Sequence, residues 1–492
     1  MTLAALLIPL VGGVLAWATP GRARGAVAVL AAVAAFVAAL FLPTAAPVDV
    51  AWLPAFGAGL RLDPSGASSV LVLAAALAMI PTVLTAAVRV RERTGTFLGL
   101  LLIMQAMLAG LFLASDLLAF YVFWEAALIP SLVLLGVFGG ERRRGAVTKY
   151  LIYAVSGSFL MLVSIIAVRV LSGAESFAFH ELAPAARELD AVTQGWLFAG
   201  FSAAFVVKLP LFPLHSWLID FHRENHPSGA ADVAGTLYKV GGFGFFAWAI
   251  PLLPDGALVL QPYLLTAAAV TALWGALAAT RQEDLKSLLA YASLSHMGLI
   301  GVGLFSLTEI GLAGAMLLLA AQMLSTGGMF LLSGMMHARR GSFALDRFGG
   351  LARSAPALAA VSLFVIFAAI GVPGLSNFPG EFLALLGAAQ ASVFLAAVAL
   401  ASVIAAGVYG VNLYQRLYQG RQVEGTHDLR AVEVAILAPI VAGVLWFGLA
   451  PANAADRIDD GARVAVHGPD RPVPAEGGAA SEPPLATAGG ER

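Results

Sequence analysis

The sequence has no cysteine among its 492 residues. A chain without thiols cannot form a disulfide, hold an iron–sulfur cluster through thiolates or attach haem through a C-x-x-C-H motif. The glycine-rich patterns G-x-G-x-x-G and G-x-x-x-x-G-K-[ST], which bind dinucleotides and nucleotide phosphates, do not occur either. We therefore expect no metal, cofactor or redox centre on this chain. Any redox chemistry coupled to it takes place on other subunits.

Charged residues are also scarce. Only 12% of the sequence is charged, 60% is hydrophobic, and the formal net charge is -1. This balance argues against nucleic acid as a partner. Apolar runs of about 20 residues recur, which is the length needed to cross a hydrocarbon core about 30 Å thick. The composition predicts an all-α, multi-pass membrane protein in contact with lipid.

Hydropathy predicts about fourteen transmembrane helices. The first run lacks a preceding basic segment and is followed by Arg22 and Arg24, so we expect a retained span and not a cleaved signal. The predicted spans cover residues 2–18, 25–42, 67–88, 96–114, 116–139, 146–172, 194–218, 230–252, 261–280, 286–307, 309–337, 355–390, 391–415 and 431–451. The tail, 452–492, is polar and predicted to be disordered, because it offers too little apolar surface to fold alone.

Basic residues alternate between successive loops. Loops that follow odd-numbered spans hold 19 of the 28 lysines and arginines, whereas the other loops hold few, chiefly Arg61 and Arg187. Basic loops of multi-pass proteins face the cytoplasm. The pattern therefore predicts a protein of the inner (cytoplasmic) membrane with both termini on the non-cytoplasmic side.

Two of the predicted spans are interrupted by proline and glycine. Span 194–218 contains Lys208 close to Pro210 and Pro213, and span 355–390 contains Glu381 after two Pro-Gly pairs. A charge at the centre of a bilayer costs roughly 2.5 to 3.5 kcal/mol, and a broken helix leaves carbonyls that need partners. Paired discontinuous helices of this kind indicate an ion pathway.

Polar residues at membrane depth recur at a nearly constant offset. Glu125 corresponds to His296 at an offset of 171, and Lys149 to Gln322 and Lys208 to Glu381 at 173. Five spans per copy place the two copies in opposite orientations, so the sequence predicts two inverted five-helix repeats. Coincidence among evenly spaced helices is the alternative. The predicted organisation is helices 1 to 3 in 1–95, repeats in 96–252 and 261–418, helix 14 in 431–451, and the tail.

Five ionisable side chains form a predicted row of proton-exchanging groups: Glu125, Lys208, Lys239, His296 and Glu381. Glu125 is expected to pair with Lys208, because a nearby carboxylate favours a charged lysine, and separating the two releases the proton. Histidine titrates near pH 6.5 and suits a relay. The hypothesis is a proton path from the cytoplasm to Lys239, through Lys208 and His296 to Glu381, and out on the far side.

Each relay residue also has a purely structural interpretation. Lys208 could cap the carbonyls freed by the prolines, and Lys239 could extend to the cytoplasmic rim. Glu125 could serve only as the partner of Lys208, and His296 could be a hydrogen-bonded core residue. Glu381 has the same kind of alternative, although its position after a double break favours function.

Four further polar side chains give weaker signals. Gln322 cannot titrate and at most orients water. His215, His222 and His226 lie near the end of the first broken span without a nearby carboxylate pair or cysteine. A metal site needs three or four ligands in a defined geometry, so we expect these histidines to cap helix ends.

Five segments resemble the antiporter-like membrane subunits of respiratory complex I. They read FYVFWEAALIPS, FVVKLPLFPLHSWL, TLYKVGGFG, LKSLLAYASLSHMG and GVPGLSNFPGEFLALLG, and the similarity spans about residues 116–410. Glutamate on the second broken helix and the lack of a long C-terminal lateral helix resemble the M-type chains of that family. The resemblance implies a Glu125–Lys208 pair, a connecting Lys239 and a terminal proton carrier at Glu381. Gln322 departs from the histidine that the family often has.

The resemblance also implies partners. The chain would work beside other membrane subunits of a respiratory complex whose NADH, FMN, iron–sulfur clusters and quinone are bound by partner subunits. A subunit of a multisubunit cation/proton antiporter or of a membrane-bound hydrogenase is the nearest alternative, although lysine is more usual than Glu381 in the antiporters. A passive scaffold that pumps nothing is the alternative of a different class.

Overall fold

Helices make up most of the chain. The computed structural model describes residues 1–237, 240–421, 423 and 426–468. The helices within this range are α1 (Thr2–Ala18), α2 (Ala23–Leu40), α3 (Gly66–Arg89), α4 (Thr94–Leu113), α5 (Leu117–Phe138), α6 (Arg143–Ser172), α7 (Phe179–Arg187), α8 (Ala191–Lys208), α9 (Ser216–Glu224), α10 (Ala230–Leu237), α11 (Gly241–Gly244), α12 (Ile250–Leu252), α13 (Pro254–Thr280), α14 (Leu285–Leu304), α15 (Glu309–Arg340), α16 (Pro356–Ala369), α17 (Asn377–Ala391), α18 (Val393–Tyr418), α19 (Ala431–Leu449) and α20 (Ala452–His467).

Eleven helical segments of the described chain are long and apolar enough to cross a membrane. The prediction of an all-α membrane protein is confirmed at this level. Several helices begin at a side chain that accepts hydrogen bonds from the first free N–H groups, namely Asp116, Asp190, Asp284, Thr308 and Ser392. Such caps satisfy backbone donors that an apolar surrounding would leave unpaired.

A short hairpin between α2 and α3 was not predicted. Its strands, β1 (Val48–Leu53) and β2 (Ala58–Leu62), pair antiparallel with Val48 opposite Leu62. The fully buried Asp116 ties the hairpin to α5, because it accepts hydrogen bonds from the Arg61 guanidinium at 2.8 Å and from the Gly59 N–H at 3.0 Å. The hairpin is therefore anchored to the bundle.

Helices α14 and α15 form the centre of the bundle. The whole apolar stretch of α15 is buried, and α14 is buried nearly as fully. Small residues allow the close approach: a Cβ on Gly298 would lie 2.2 Å from the Ala272 nitrogen of α13, and one on Gly314 would lie 2.4 Å from the Ala384 nitrogen of α17. Packing through small residues is how helices associate without a hydrophobic driving force.

Both interrupted spans are discontinuous in the structure. The first divides into α8 and α9 with irregular backbone between Lys208 and Ser216, and the second divides into α16 and α17. The segment predicted as one span at 230–252 contains a π-helical turn at Phe245–Ala249. The sequence analysis missed this irregularity.

Part of the tail folds, contrary to the prediction of disorder from residue 452. Helix α20 buries Ala454, Ile458, Ala462 and Ala465, which lie along one face and pack against α3 and α15. The tail has too little apolar surface to fold alone, but the bundle supplies the other half of the contact. The prediction is therefore wrong for 452–467, and 469–492 lie outside the described residues.

Candidate functional site

Lys208 ends α8 inside the protein. Its side chain is 1% exposed, and Nζ lies 4.8 Å from the centroid of a Trp124 ring. Trp124 is held in place because its indole N–H donates to Ser158 Oγ at 3.2 Å. The neighbouring Glu125 carboxylate attracts the Lys208 charge. An aromatic face and a nearby carboxylate both favour the charged lysine in an otherwise apolar site.

Several backbone groups on either side of Lys208 have hydrogen-bond partners from the chain around the break. The Val206 carbonyl accepts from the Leu211 N–H at 3.1 Å, and the Val207 carbonyl accepts from the Trp217 indole N–H at 3.0 Å. Thr271 Oγ1 accepts from the Phe212 N–H at 2.8 Å. The Val206 carbonyl, which Pro210 deprives of its helical partner, therefore has a backbone donor.

His296 and Glu381 meet at the second broken helix. His296 Nε2 lies 3.8 Å from Glu381 Oε1, and both side chains are buried. This separation exceeds a hydrogen bond. A small movement or one bridging water would therefore connect the imidazole to the carboxylate.

The break between α16 and α17 positions Glu381. Gly371 has a φ of 75°, and a Cβ there would lie 2.1 Å from Glu381 Oε2, so only glycine fits. The Asn377 amide donates to the Ala369 carbonyl at 3.2 Å and accepts from Ser325 Oγ at 2.8 Å. Asn377 thus joins the end of α16 to α15 and fixes the start of the helix that carries Glu381.

A small cavity lies beside His296. Its volume of about 20 Å³ exceeds the minimum that holds one water. Ser293, Thr326 and Tyr409 supply polar groups to its lining together with His296. The surroundings of His296 therefore suit hydrogen bonding to water.

Four of the five predicted relay residues lie within the described chain, where they form two neighbouring groups. Glu125 is close enough for its carboxylate to favour the Lys208 charge, and His296 lies 3.8 Å from Glu381. The two pairs are linked through packing, because Leu211 after Lys208 contacts the position of Gly301 on α14, the helix of His296. Lys239 lies outside the described residues, so its role stays a prediction.

Lys149 and Gln322, which correspond to each other in the proposed repeat, differ in their burial and hydrogen bonding. Lys149 is one-third exposed and bonds Asp220 Oδ2 at 2.8 Å. Gln322 is 1% exposed, and neither of its amide atoms has a hydrogen-bond partner in the described structure. A buried, unpaired amide is a favourable place for water.

Sequence reasoning missed a buried cluster of His222, Asp232 and Lys286. Asp232 Oδ1 lies 3.0 Å from His222 Nδ1, and Oδ2 lies 2.9 Å from Lys286 Nζ, with all three side chains at most 1% exposed. Lys286 also donates to the Asn225 carbonyl at 2.7 Å. The available signal was an aspartate within an apolar run, which in a membrane protein indicates a buried partner.

No metal centre is formed by the described side chains. They contain no group of three or more His, Asp or Glu residues arranged to hold an ion. His215 stacks on Phe212, and His226 Nδ1 accepts from the Ser228 N–H at 3.2 Å. Helix α9 begins after His215 without a side-chain cap, so capping by that histidine is not observed.

Comparison with known proteins gives one consistent family. The family profile described as "NADH:quinone oxidoreductase/Mrp antiporter, TM" matches residues 114–406. "NADH-quinone oxidoreductase subunit 13" of Thermus thermophilus is 44% identical over 457 residues, which cover 92% of this chain and 95% of the relative.

Solved structures agree with this relationship. A chain of respiratory complex I from Thermus thermophilus with bound NADH superposes with a TM-score of 0.91 at 43% identity, covering 95% of this chain and 99% of that one. A chain of the archaeal membrane-bound sulfane sulfur reductase gives 0.82 at 26% identity, covering 92% and 77%. The fold is thus shared with chains of two different respiratory membrane complexes.

Proposed function

Since the chain belongs to the NADH:quinone oxidoreductase/Mrp antiporter family and is an antiporter-like membrane subunit of the complex I type, we propose that it moves protons across the membrane. One observation carries the proposal. Each of the two broken helices holds a buried ionisable side chain at its break, Lys208 in the first and Glu381 in the second, and His296 lies 3.8 Å from the latter.

The proposed relay follows these groups. A proton enters from the cytoplasm through Lys239, passes by Lys208 and His296, and leaves to the far side from Glu381. Movement of Glu125 relative to Lys208 controls whether the lysine keeps its proton. The driving conformational change comes from quinone reduction in partner subunits, which also hold NADH, FMN and the iron–sulfur clusters.

The proposed topology has fourteen spans. The eleven candidate segments, the apolar α1 and the two broken helices α8–α9 and α16–α17 make up this number. Residues 96–252 and 261–418 form the two inverted repeats. The basic loops face the cytoplasm, and both termini lie on the other side of the inner membrane.

The energies involved are adequate for a pump. Removing one partner from a buried ion pair costs about 3 to 5 kcal/mol. Moving one elementary charge against 100 mV costs about 2.3 kcal/mol. Opening a single pair between Glu125 and Lys208 is therefore comparable with lifting one proton across an energised membrane.

Lys208→Met in the assembled, membrane-embedded complex tests the proposal. Methionine keeps most of the side-chain volume and removes the proton-binding group, so we expect proton translocation to fall at least about tenfold. The measurement is proton uptake into vesicles together with the electron-transfer rate, after the intact complex has been verified. Lys149→Met is the matched control because that lysine is partly exposed and pairs at the protein edge.

Two outcomes of this experiment decide whether Lys208 carries protons. Loss of translocation in the Lys208 variant with near-normal activity of the Lys149 variant supports the relay. Normal translocation per electron in an assembled Lys208→Met complex rules Lys208 out as a proton carrier and favours the passive scaffold.

A further inference from the structure

A basic cavity opens where α3 and α15 end and α19 begins. Its volume is about 330 Å³, and its lining includes the arginines Arg89, Arg91, Arg339 and Arg430. Glu433 is the only carboxylate among the described residues that line it. Four guanidinium groups around one carboxylate leave an excess of positive charge.

Glu433 is already fully engaged by its neighbours. Its carboxylate accepts from Arg89 Nη2 at 2.6 Å, from Arg339 Nη2 at 2.7 Å, and from the Arg430 backbone N–H at 3.1 Å. Within the part of the chain that the structure describes, Arg91 and the Arg430 guanidinium have no carboxylate partner. Their charges remain available to a ligand.

The Asp428 carboxylate, close in sequence to Arg430, is engaged elsewhere. Asp428 accepts hydrogen bonds from the N–H groups of Ala357, Leu358 and Leu429, so it is committed to the start of α16. The His427 side chain senses the excess charge: its pKa lies below the usual value because of burial and then the Arg339 and Arg430 charges, against which Glu433 acts.

The cavity also has a rigid, built interior. Arg339 is 1% exposed and is fixed by both Glu433 oxygens and by the carbonyls of His427 and Asp428. All five N–H groups of Arg339 donate to protein acceptors, so this guanidinium holds the wall of the cavity in place and leaves ligand binding to the other arginines. Exposed lysines on a mobile surface would not have this geometry.

We propose that this cavity binds the phosphodiester headgroup of an anionic phospholipid. The basic lining supplies the charge and hydrogen-bond donors, while Val88, which also lines the cavity and is 48% exposed, offers apolar contact to acyl chains. Free phosphate would use only the basic part of this surface. Basic pockets between transmembrane helices recognise lipid headgroups in this way.

Photocrosslinking of the assembled complex tests the assignment. The complex is placed in nanodiscs of phosphatidylcholine containing a photoreactive phosphatidylglycerol, and crosslinked peptides are identified by mass spectrometry. We expect crosslinks at the end of α3 and the start of α19. Arg91→Gln combined with Arg430→Gln should lower their yield more than about tenfold, because each basic residue near a headgroup contributes on the order of a factor of five.

Arg347→Gln combined with Arg353→Gln is the matched control, since both side chains are exposed and lie outside the cavity. The control should keep the wild-type yield, and unlabelled phosphatidylglycerol should compete whereas inorganic phosphate should not. Equal loss in the two double variants would show unspecific surface charge and refute the site. Competition by inorganic phosphate as strong as by lipid would refute a lipid ligand, as would absence of crosslinks because a partner peptide covers the cavity.

Discussion

The two broken helices hold a base and an acid, Lys208 and Glu381, in different surroundings. At the first break Lys208 lies over Trp124, whose ring packs 5.3 Å from Phe205 within an aromatic cluster. At the second break Glu381 lies beside His296 and fills the space left by Gly371. The first break therefore surrounds a lysine with aromatic faces, which favour a cation. The second break places a carboxyl group beside an imidazole and a glycine.

This difference predicts unequal tolerance to substitution. The aromatic wall around Lys208 consists of large side chains that can be exchanged for other apolar groups at moderate cost. The space around Glu381 is set by backbone, because Gly371 combines a positive φ with contact to the carboxylate. A single added methyl group at the second break should therefore be more damaging than loss of a ring at the first.

Gly371→Ala is the strongest test of this comparison. Its new Cβ would lie 2.1 Å from Glu381 Oε2, so the carboxylate must move away from its position near His296. A displacement of about 1 Å at a reacting group can cost on the order of a hundredfold in rate. We expect proton translocation in vesicles to fall by that order, with the complex still assembled.

Gly374→Ala supplies a matched control for the backbone. Gly374 also has a positive φ, 88°, but a Cβ there meets no atom within 4 Å. Its substitution adds about 1 to 2 kcal/mol of backbone strain without touching Glu381. Equal losses in both variants would mean that strain alone explains the defect and that Gly371 does not position the acid.

Trp124→Leu should give the intermediate effect. Loss of the cation–π contact with Lys208 removes about 0.5 to 2 kcal/mol of stabilisation of the charged lysine. We expect a reduction of translocation up to about tenfold and a changed dependence of the rate on pH, whereas Trp124→Phe should retain most of the activity.

Trp248→Leu serves as the comparison for packing. Trp248 belongs to the same aromatic cluster, with its ring 5.6 Å from that of Phe120. The ring that lies under Lys208 Nζ is that of Trp124. The Trp248 variant should show a similar fall in melting temperature and a smaller fall in translocation. If the two leucine variants lose translocation equally, the ring of Trp124 acts only as packing.

The broken helices could be predicted from sequence because their signals are local. Proline and glycine stand next to Lys208 and Glu381, and their effect on a helix does not depend on distant residues. The contact of His296 with Glu381 needs the packing of α14 against α17, which hydropathy does not give. The sequence placed both residues in one relay without fixing their distance.

Contacts between segments that lie far apart in the sequence were not predicted. Asp232 forms an ion pair with Lys286 of another helix. No local sequence pattern around either residue predicts this pair. Helix α20 is similar, because its apolar face is buried against helices distant in the sequence, chiefly α3 and α15. A composition argument treats the tail alone and therefore predicts disorder.

The turn that follows the first broken helix contains a titratable histidine, His226. Its substitution is expected to have the smallest effect of the variants considered, a change in the pH dependence of stability. His226 follows α9, whereas the serine after α17, Ser392, cannot titrate in the acidic range. Burial, and next the Lys286 charge, lower the pKa of His226 from 6.5 to about 4, with Asp232 acting in the opposite direction. In the native protein His226 therefore stays neutral where the unfolded chain takes up a proton.

The sign follows from proton linkage. Above pH 6.5 both states leave this histidine neutral, and stability does not depend on it. Between pH 6.5 and about 4 the unfolded state binds more protons, so native stability falls as the pH falls. His226→Asn keeps an acceptor for the Ser228 N–H and should flatten the decrease of melting temperature over this range. His180→Asn, at a side chain that is 73% exposed, should leave the slope unchanged. An unaltered slope in the His226 variant would show that other groups carry the acid sensitivity of this turn.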